Sequence, residues 1–303
     1  MRLPQSVLTS ILALCAPLAL AGCGSDDDGK KQPLRTDPRG GPGFESPTRE
    51  ITSAAAYERT YCYYTSIDAD EAMGVKRWSS TMTPGSHHLI VYFTNEAKHP
   101  DGTVTEDCNV VGGASSLADV PIWTYSAQSP EAENVMPEGV GMTVRSKQHL
   151  FVQMHYFNPT PDDIDAHVVV NAETYATGES YTPAGAFITF NTEIELPPHG
   201  VGSAEGACNV PDGAKFFTLS THAHRRAIHT EVRDGDTVIF ESDDWEHAGA
   251  TDWRQAPHFE FSEKLSYHCE YQNDLSQTVT TGDSADTDEM CMAVGYFFPP
   301  EGA

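Results

Sequence analysis

Beyond its first two dozen residues, this chain shows no long stripe of apolar side chains at helical spacing. Instead it carries short apolar runs: His88–Phe93, His149–Phe157, His167–Val170, Phe187–Leu196, Lys215–Thr221, Ile228–Arg233, Thr237–Glu241, Leu265–Tyr271 and Met292–Phe298. They are rich in β-branched and aromatic residues and bounded by Gly, Pro, Asn and Asp, the pattern of strands and their turns. Asp234-Gly235, between two of the runs, is a hairpin signal. The pattern predicts an all-β chain of antiparallel β-sandwiches. Its length suits two such domains in tandem, divided near Gly178–Gly185, so 49–181 and 182–303 are the expected domains. No internal repeat stands out.

The N-terminus differs. Arg2 precedes an apolar run from Val7 to Gly22, too short for a comfortable membrane span and built like a secretory signal. It ends in Leu20-Ala21-Gly22-Cys23, the form of a bacterial lipoprotein signal, in which the Cys23 thiol is acylated. Residues 1–22 are therefore expected to be removed and 23–48, rich in Gly, Pro and charge, to form a flexible tether. This places the protein outside the cytoplasm, lipid-anchored at the cell envelope, with the anchor as its one membrane contact. Gly24 after Cys23 would permit an outer-membrane address.

Charge and cysteines narrow the classes further. The chain has 44 acidic against 18 basic side chains, a net charge of −26. That balance repels nucleic-acid phosphates and anionic headgroups and argues against both as partners. With Cys15 and Cys23 set aside, Cys62, Cys108, Cys208, Cys269 and Cys291 remain, with no C-x-x-C among them. In an exported protein such cysteines read as disulfide partners, and five leaves at least one over.

The candidate chemistry lies in the histidines. His87 and His88 open one run; Gln153 and His155 share a face of another; His222 and His224 project to one side, two residues apart. An H-x-H pair on a strand can chelate a metal ion with little backbone adjustment. Adjacent His87 and His88 would point to opposite faces unless that strand is bulged at its start. The spacing alone names no metal. H-E-x-x-H, G-x-S-x-G, the Walker lysine loop and G-x-G-x-x-G are all absent, so hydrolase and nucleotide-binding readings have no foothold.

Taken in order, these motifs resemble the copper type II, ascorbate-dependent monooxygenases, the family of dopamine β-monooxygenase and peptidylglycine α-hydroxylating monooxygenase. The resemblance runs from Tyr61-Cys62 through His87-His88, Gln153–His155 and His222–His224 to Asp288-Glu289-Met290-Cys291 and the aromatic strand after it. It implies an electron-storing copper on His87, His88 and His155. It implies a catalytic, oxygen-binding copper on His222, His224 and Met290. The two ions would face each other across a solvent gap, with Gln153 ordering the electron path or water and ascorbate or another one-electron donor reloading both. A thioether favours Cu(I), the state that must meet O2, whereas zinc would have no need of Met290. The resemblance also implies disulfides Cys62–Cys108 and Cys269–Cys291, with Cys208 left unpaired.

The substrate positions depart from the family. Where peptide-amidating members clamp a substrate carboxylate, this chain has Ser220, Met292 and Val294, none of which can do so. A small, more apolar organic substrate is expected. His229 and His268 are candidates to support the second site from outside. His99, His149, His167, His199, His247 and His258 read as loop, surface or non-ligating residues, and Asp283–Glu289 as a solvated loop. Two other classes compete: a copper-binding lipoprotein without turnover, and a structural or adhesive β-sandwich lipoprotein.

Overall fold

The computed structural model of the protein describes residues 43–47, 51–53, 57–83, 86–106, 108, 121–158, 164–262, 264–282 and 284–299. The signal segment 1–22, Cys23, Gly24, most of the tether and Asp283 lie outside them. The strands are β1 (Gly43–Pro47), β2 (Ile51–Ser53), β3 (Tyr57–Ile67), β4 (Met73–Met82), β5 (Ser86–Thr94), β6 (Val104–Thr105), β7 (Ile122–Ala127) and β8 (Glu131–Val135). Next come β9 (Val140–Val144), β10 (Gln148–Asn158), β11 (Ile164–Ala166), β12 (Val168–Thr174), β13 (Thr182–Phe190), β14 (Glu195–Leu196) and β15 (Val201–Cys208). The rest are β16 (Lys215–Ala223), β17 (Ala227–Asp234), β18 (Thr237–Ser242), β19 (Thr251–Asp252), β20 (Leu265–Gln272), β21 (Val279–Thr280) and β22 (Cys291–Phe298). The fold is all-β, and among the described strand pairs only β9 with β13 is parallel.

One long sheet, in the order β1-β12-β4-β9-β13-β22-β16-β19 with β8 beside β4, runs through both halves of the chain. The sheet β6-β3-β10-β5-β7 belongs to the first half and β15-β20-β17-β18 to the second. Trp78, Leu89, Val91, Val152, Met154, Val168 and Val170 form the first core; Leu219, Val232, Leu265, Tyr267 and Ala293 belong to the second. β13 starts at Thr182, at the expected division, yet it pairs with β9 on one side and β22 on the other. The described residues therefore belong to one compact unit.

Continuous apolar runs report strands covered on both faces. Leu89–Thr94 of β5 and Leu150–Tyr156 of β10 are buried at every position. One face meets the first core. The other carries Cys62, Tyr64, Ile90, Tyr92 and Phe151 in a separate apolar cluster. Gly235, at φ 55°, makes the β17–β18 hairpin turn, a backbone state open to glycine without strain.

Two sequence expectations need correction. Phe187–Leu196 is not one strand: β13 stops at Phe190, because the Asn191 side chain accepts the Glu193 N–H at 2.6 Å and donates to the Glu205 carbonyl at 2.7 Å. That side-chain turn competes with the ladder. The tether expected to reach residue 48 gives way earlier, since Gly43–Pro47 is strand β1, antiparallel to β12.

The β16–β22 register shifts between Phe216 and Thr218, and there Phe216 packs into the second core and its neighbour Phe217 into the first, each with no exposed surface. Phe217→Ala should cost about 3–5 kcal/mol, the range for emptying a buried aromatic site. Urea unfolding checks this, and a loss below about 1 kcal/mol would mean that this contact does not join the halves.

Candidate metal centre

The site begins with a fault in a ladder. β5 and β10 pair in regular register until His88 faces His155, and then the register shifts so that Ser86 faces Tyr156. His87 is the extra residue, and a bulge of this kind re-aims a side chain that would otherwise point away. The rings of His87, His88 and His155 gather with centroids 4.9–5.1 Å apart, and their ligand nitrogens all lie within 4.8 Å of one another. The two Nδ1 atoms of His87 and His88 are 2.9 Å apart. Two ligands each about 2.0 Å from one ion, at right angles, would stand at about that separation.

The second group comes from the end of β16. His222 is its penultimate residue and His224 lies just beyond it, with ring centroids 5.4 Å apart. β22 runs alongside, with His222 opposite Met292 and Ala223 opposite Cys291. The ladder ends there; Met290, half-buried, is the residue before β22, and Asp288 and Glu289 before it contact His224. The Tyr271 hydroxyl donates to the Met290 carbonyl at 2.7 Å. The Cys269–Cys291 disulfide ties the next residue to β20, and Cys62–Cys108 braces the first half. Cys208 is free, with its Sγ 3.1 Å from the Thr189 hydroxyl.

Around these ligands the main chain is tightly held. The His224 Nδ1 donates to the Asp288 carbonyl at 3.2 Å, which leaves Nε2 for a metal. Glu289, with no exposed surface, accepts the N–H of His224 at 3.0 Å and that of Arg226 at 2.8 Å. Its two oxygens are thereby spent on the backbone.

The two groups adjoin. The rings of His88 and His222 stand edge to face with centroids 6.0 Å apart. Gln128, from the first half, reaches the His222 Nδ1 at 3.1 Å. Trp245, from the loop after β18, stacks on His87 at 5.4 Å. The solvent gap implied by the family resemblance is thus replaced by ring contact. Imidazoles gathered in this way suit copper or zinc and do not suit magnesium or calcium, which take oxygen ligands.

A cavity of about 220 Å³ opens beside His88 and His222, walled by Ile90, Trp123, Ile188 and Val294, with Ser220 and Arg254 at its edge. The Ser220 hydroxyl is spent on the Gly249 carbonyl at 2.6 Å, and Met292 is buried. Arg254 is held by Asp252 at 2.9 Å and by Asn134 at 2.8 Å.

Other histidines fall elsewhere. Gln153 is buried on the His155 face, in register between Ile90 and Cys62. His229 and His268 do not approach His224: they lie on the outer face of the β15-β20-β17-β18 sheet, His229 with Asp243 at 2.6 Å and His268 with Glu270 at 3.7 Å. His229, Glu231 and Glu241 come close enough to hold an ion, but Arg233 occupies both Glu231 oxygens at 2.7 and 2.8 Å. His149 bonds to Ser66, His167 to Thr83, and His258 to the Trp253 carbonyl. Trp245 and Gln128 carried no sequence signal. Glu289 sits inside the D-E-M-C motif without spacing that reveals its work.

Burial sets the protonation of the centre. It holds His88 well below the ordinary imidazole range, helped by His155 and His87, and does the same to His222, helped by His224. It brings His224 down to about 4 against the opposing Asp288 carbonyl bond. It pushes Glu289 up to about 7, against the N–H groups of Arg226 and His224. An imidazole lowered on folding stabilises above its ordinary 6.5, and that stabilisation is lost as pH falls toward the folded value. Glu289 acts oppositely between 4.5 and 7. Three protons taken up on unfolding, at His88, His222 and His224, outweigh the two released at Glu289 and His229 and leave the buried histidines in control. The metal-free protein should therefore melt at progressively lower temperature as pH falls below 6.5. A flat calorimetric profile over that interval would contradict neutral, buried rings.

No family model and no curated protein matches the chain. Among solved structures it is similar to the major capsid protein P2 from bacteriophage PM2, at 9% identity and TM-score 0.33, over 86% of this chain and 100% of that one. It is also similar to PBCV-1 VP54 fitted into a reconstruction of the virophage Sputnik, at 5% identity and TM-score 0.29, over 88% and 95%. Likeness this slight carries nothing about the site.

Proposed function

We propose that the protein is a copper-dependent monooxygenase that hydroxylates a C–H bond of a small, uncharged organic molecule. The observation that carries this is the gathering of His87, His88, His155, His222 and His224, rings drawn from both halves, with His88 and His222 lining one cavity. The order of motifs along the sequence supports the same reading. Bound copper would supply one-electron redox chemistry and O2 binding. The balance is R–H + O2 + 2 H⁺ + 2 e⁻ → R–OH + H2O, with an external one-electron donor such as ascorbate making good both electrons.

The chain's own share is to prepare that chemistry. Burial holds His88, His222 and His224 below the ordinary imidazole range, so protons compete little with a metal for these three rings near neutral pH. The Asp288 carbonyl fixes which nitrogen of His224 faces inward. Trp245 covers His87. Ile90, Trp123, Ile188 and Val294 offer an apolar wall to the substrate, while Arg254, already paired, offers no free charge for a carboxylate. Export and a lipid on Cys23 belong to this proposal, supported by two disulfides, which persist in oxidising compartments.

Metal analysis of the full chain after copper loading should find two ions per molecule. His155→Ala and Met290→Ala should each lose one, and Met290→Ala, without the oxygen-binding copper, should lose substrate-dependent O2 uptake. Two coppers with no O2 uptake across a panel of small apolar substrates would leave a copper-binding protein without turnover. One copper or none would overturn the proposal.

A further inference from the structure

We infer that the outer face of the β15-β20-β17-β18 sheet carries a further metal site, away from the histidine centre, in which His229, Glu231 and Glu241 bind one divalent cation of the zinc type. It stands whether or not the centre binds copper. The three side chains offer one nitrogen and two carboxylate oxygens, all within 4.8 Å of one another. Strand pairing brings them there. Glu231 of β17 stands directly opposite Glu241 of β18, and His229 shares the face of Glu231, two residues before it. Asp243 decides which ring nitrogen is offered. It accepts the Nδ1–H of His229 at 2.6 Å, so a neutral ring keeps its lone pair on Nε2, 3.9 Å from a Glu231 oxygen. Tetrahedral zinc ligands stand about 3.3 Å apart, so that pair needs to close by only roughly half an ångström. Glu241, exposed, is free to follow.

Arg233 reaches both Glu231 oxygens without exhausting them. Its two contacts, at 2.7 and 2.8 Å, take one lone pair on each oxygen, and an ionised carboxylate has about four. A ligand carboxylate held in this way by a neighbour is better oriented for a metal. The local charge also calls for a cation. Glu231 and Glu241 are like charges directly opposite, which destabilises a strand pair. Their row continues through His268 to Glu205 on β15, and Glu270 stands beside His229. Asp243, then Glu231, hold the His229 imidazole above its ordinary range, and a cation at Nε2 takes the place of that proton. An imidazole with two carboxylates suits zinc, whereas calcium and magnesium take oxygen ligands. Asp243 also opens the loop that lays Trp245 on His87, so an ion here fixes the root of that loop.

Equilibrium dialysis of the full chain against buffered free zinc, followed by metal counting, decides the matter. His229→Ala and Glu241→Gln should each hold one zinc fewer than the wild type. Asp243→Ala should bind that zinc about 10–100-fold more weakly, the usual effect of losing the partner that orients a ligand. The same difference of one should persist when wild type and His229→Ala both carry His155→Ala, which disturbs the histidine centre instead. Melting in the presence of a chelator checks that each variant is folded. An equal zinc count in the wild type and His229→Ala would overturn the site, whatever the fate of copper. So would a loss in His229→Ala that Glu241→Gln does not share, since that marks a lone surface histidine.

Discussion

Strand β16 has to serve two cores at once, and the rest of the molecule is arranged around that requirement. Phe216 and Phe217 can each be wholly buried only if apolar layers cover both faces of the strand. Past the register shift between Phe216 and Thr218, a strand so enclosed has little freedom to slip along its neighbour β22, because a slip of one residue would exchange the two faces. Its end is thereby fixed in space, and that end carries His222 and His224. The position of half the centre follows from packing several residues away.

The other half depends on a local departure from regular pairing. A strand without the bulge at His87 would send one of two adjacent imidazoles to the wrong face. Once both are turned inward beside His155, desolvation penalises the charged form of His88 and holds it neutral. The fully buried Glu289 shows the complementary solution, a carboxyl whose oxygens are satisfied by the main chain on either side of Arg225.

Much of this could be read from residue order, and the remainder resists for identifiable reasons. His222 and His224 were legible because the period of a strand is two, and His87-His88 because adjacency demands a bulge, which is where the register shifts. The strands around them were legible from their β-branched and aromatic runs. The pairing of β9 with β13 was not, since parallel strands need no local turn between them and leave no turn signal. Trp245 and Gln128 reach the histidines from far along the chain, as does Arg254 to Asn134. Such contacts exist only after folding. His229 misled because spacing from His224 ignores that β17 turns it to the outer face.

The Cys269–Cys291 disulfide sits one residue from Met290, and this bears on the order in which the protein matures. While the chain is reduced, Cys291 offers a thiolate, a stronger soft-metal ligand than the neighbouring thioether. On the copper reading, an ion arriving then would meet this sulfur as well as the imidazoles. Oxidation first removes that rival and locks β22 to β20. The sequence of events matters as much as the ligands: a metal supplied before the disulfide closes meets a different protein from one supplied after.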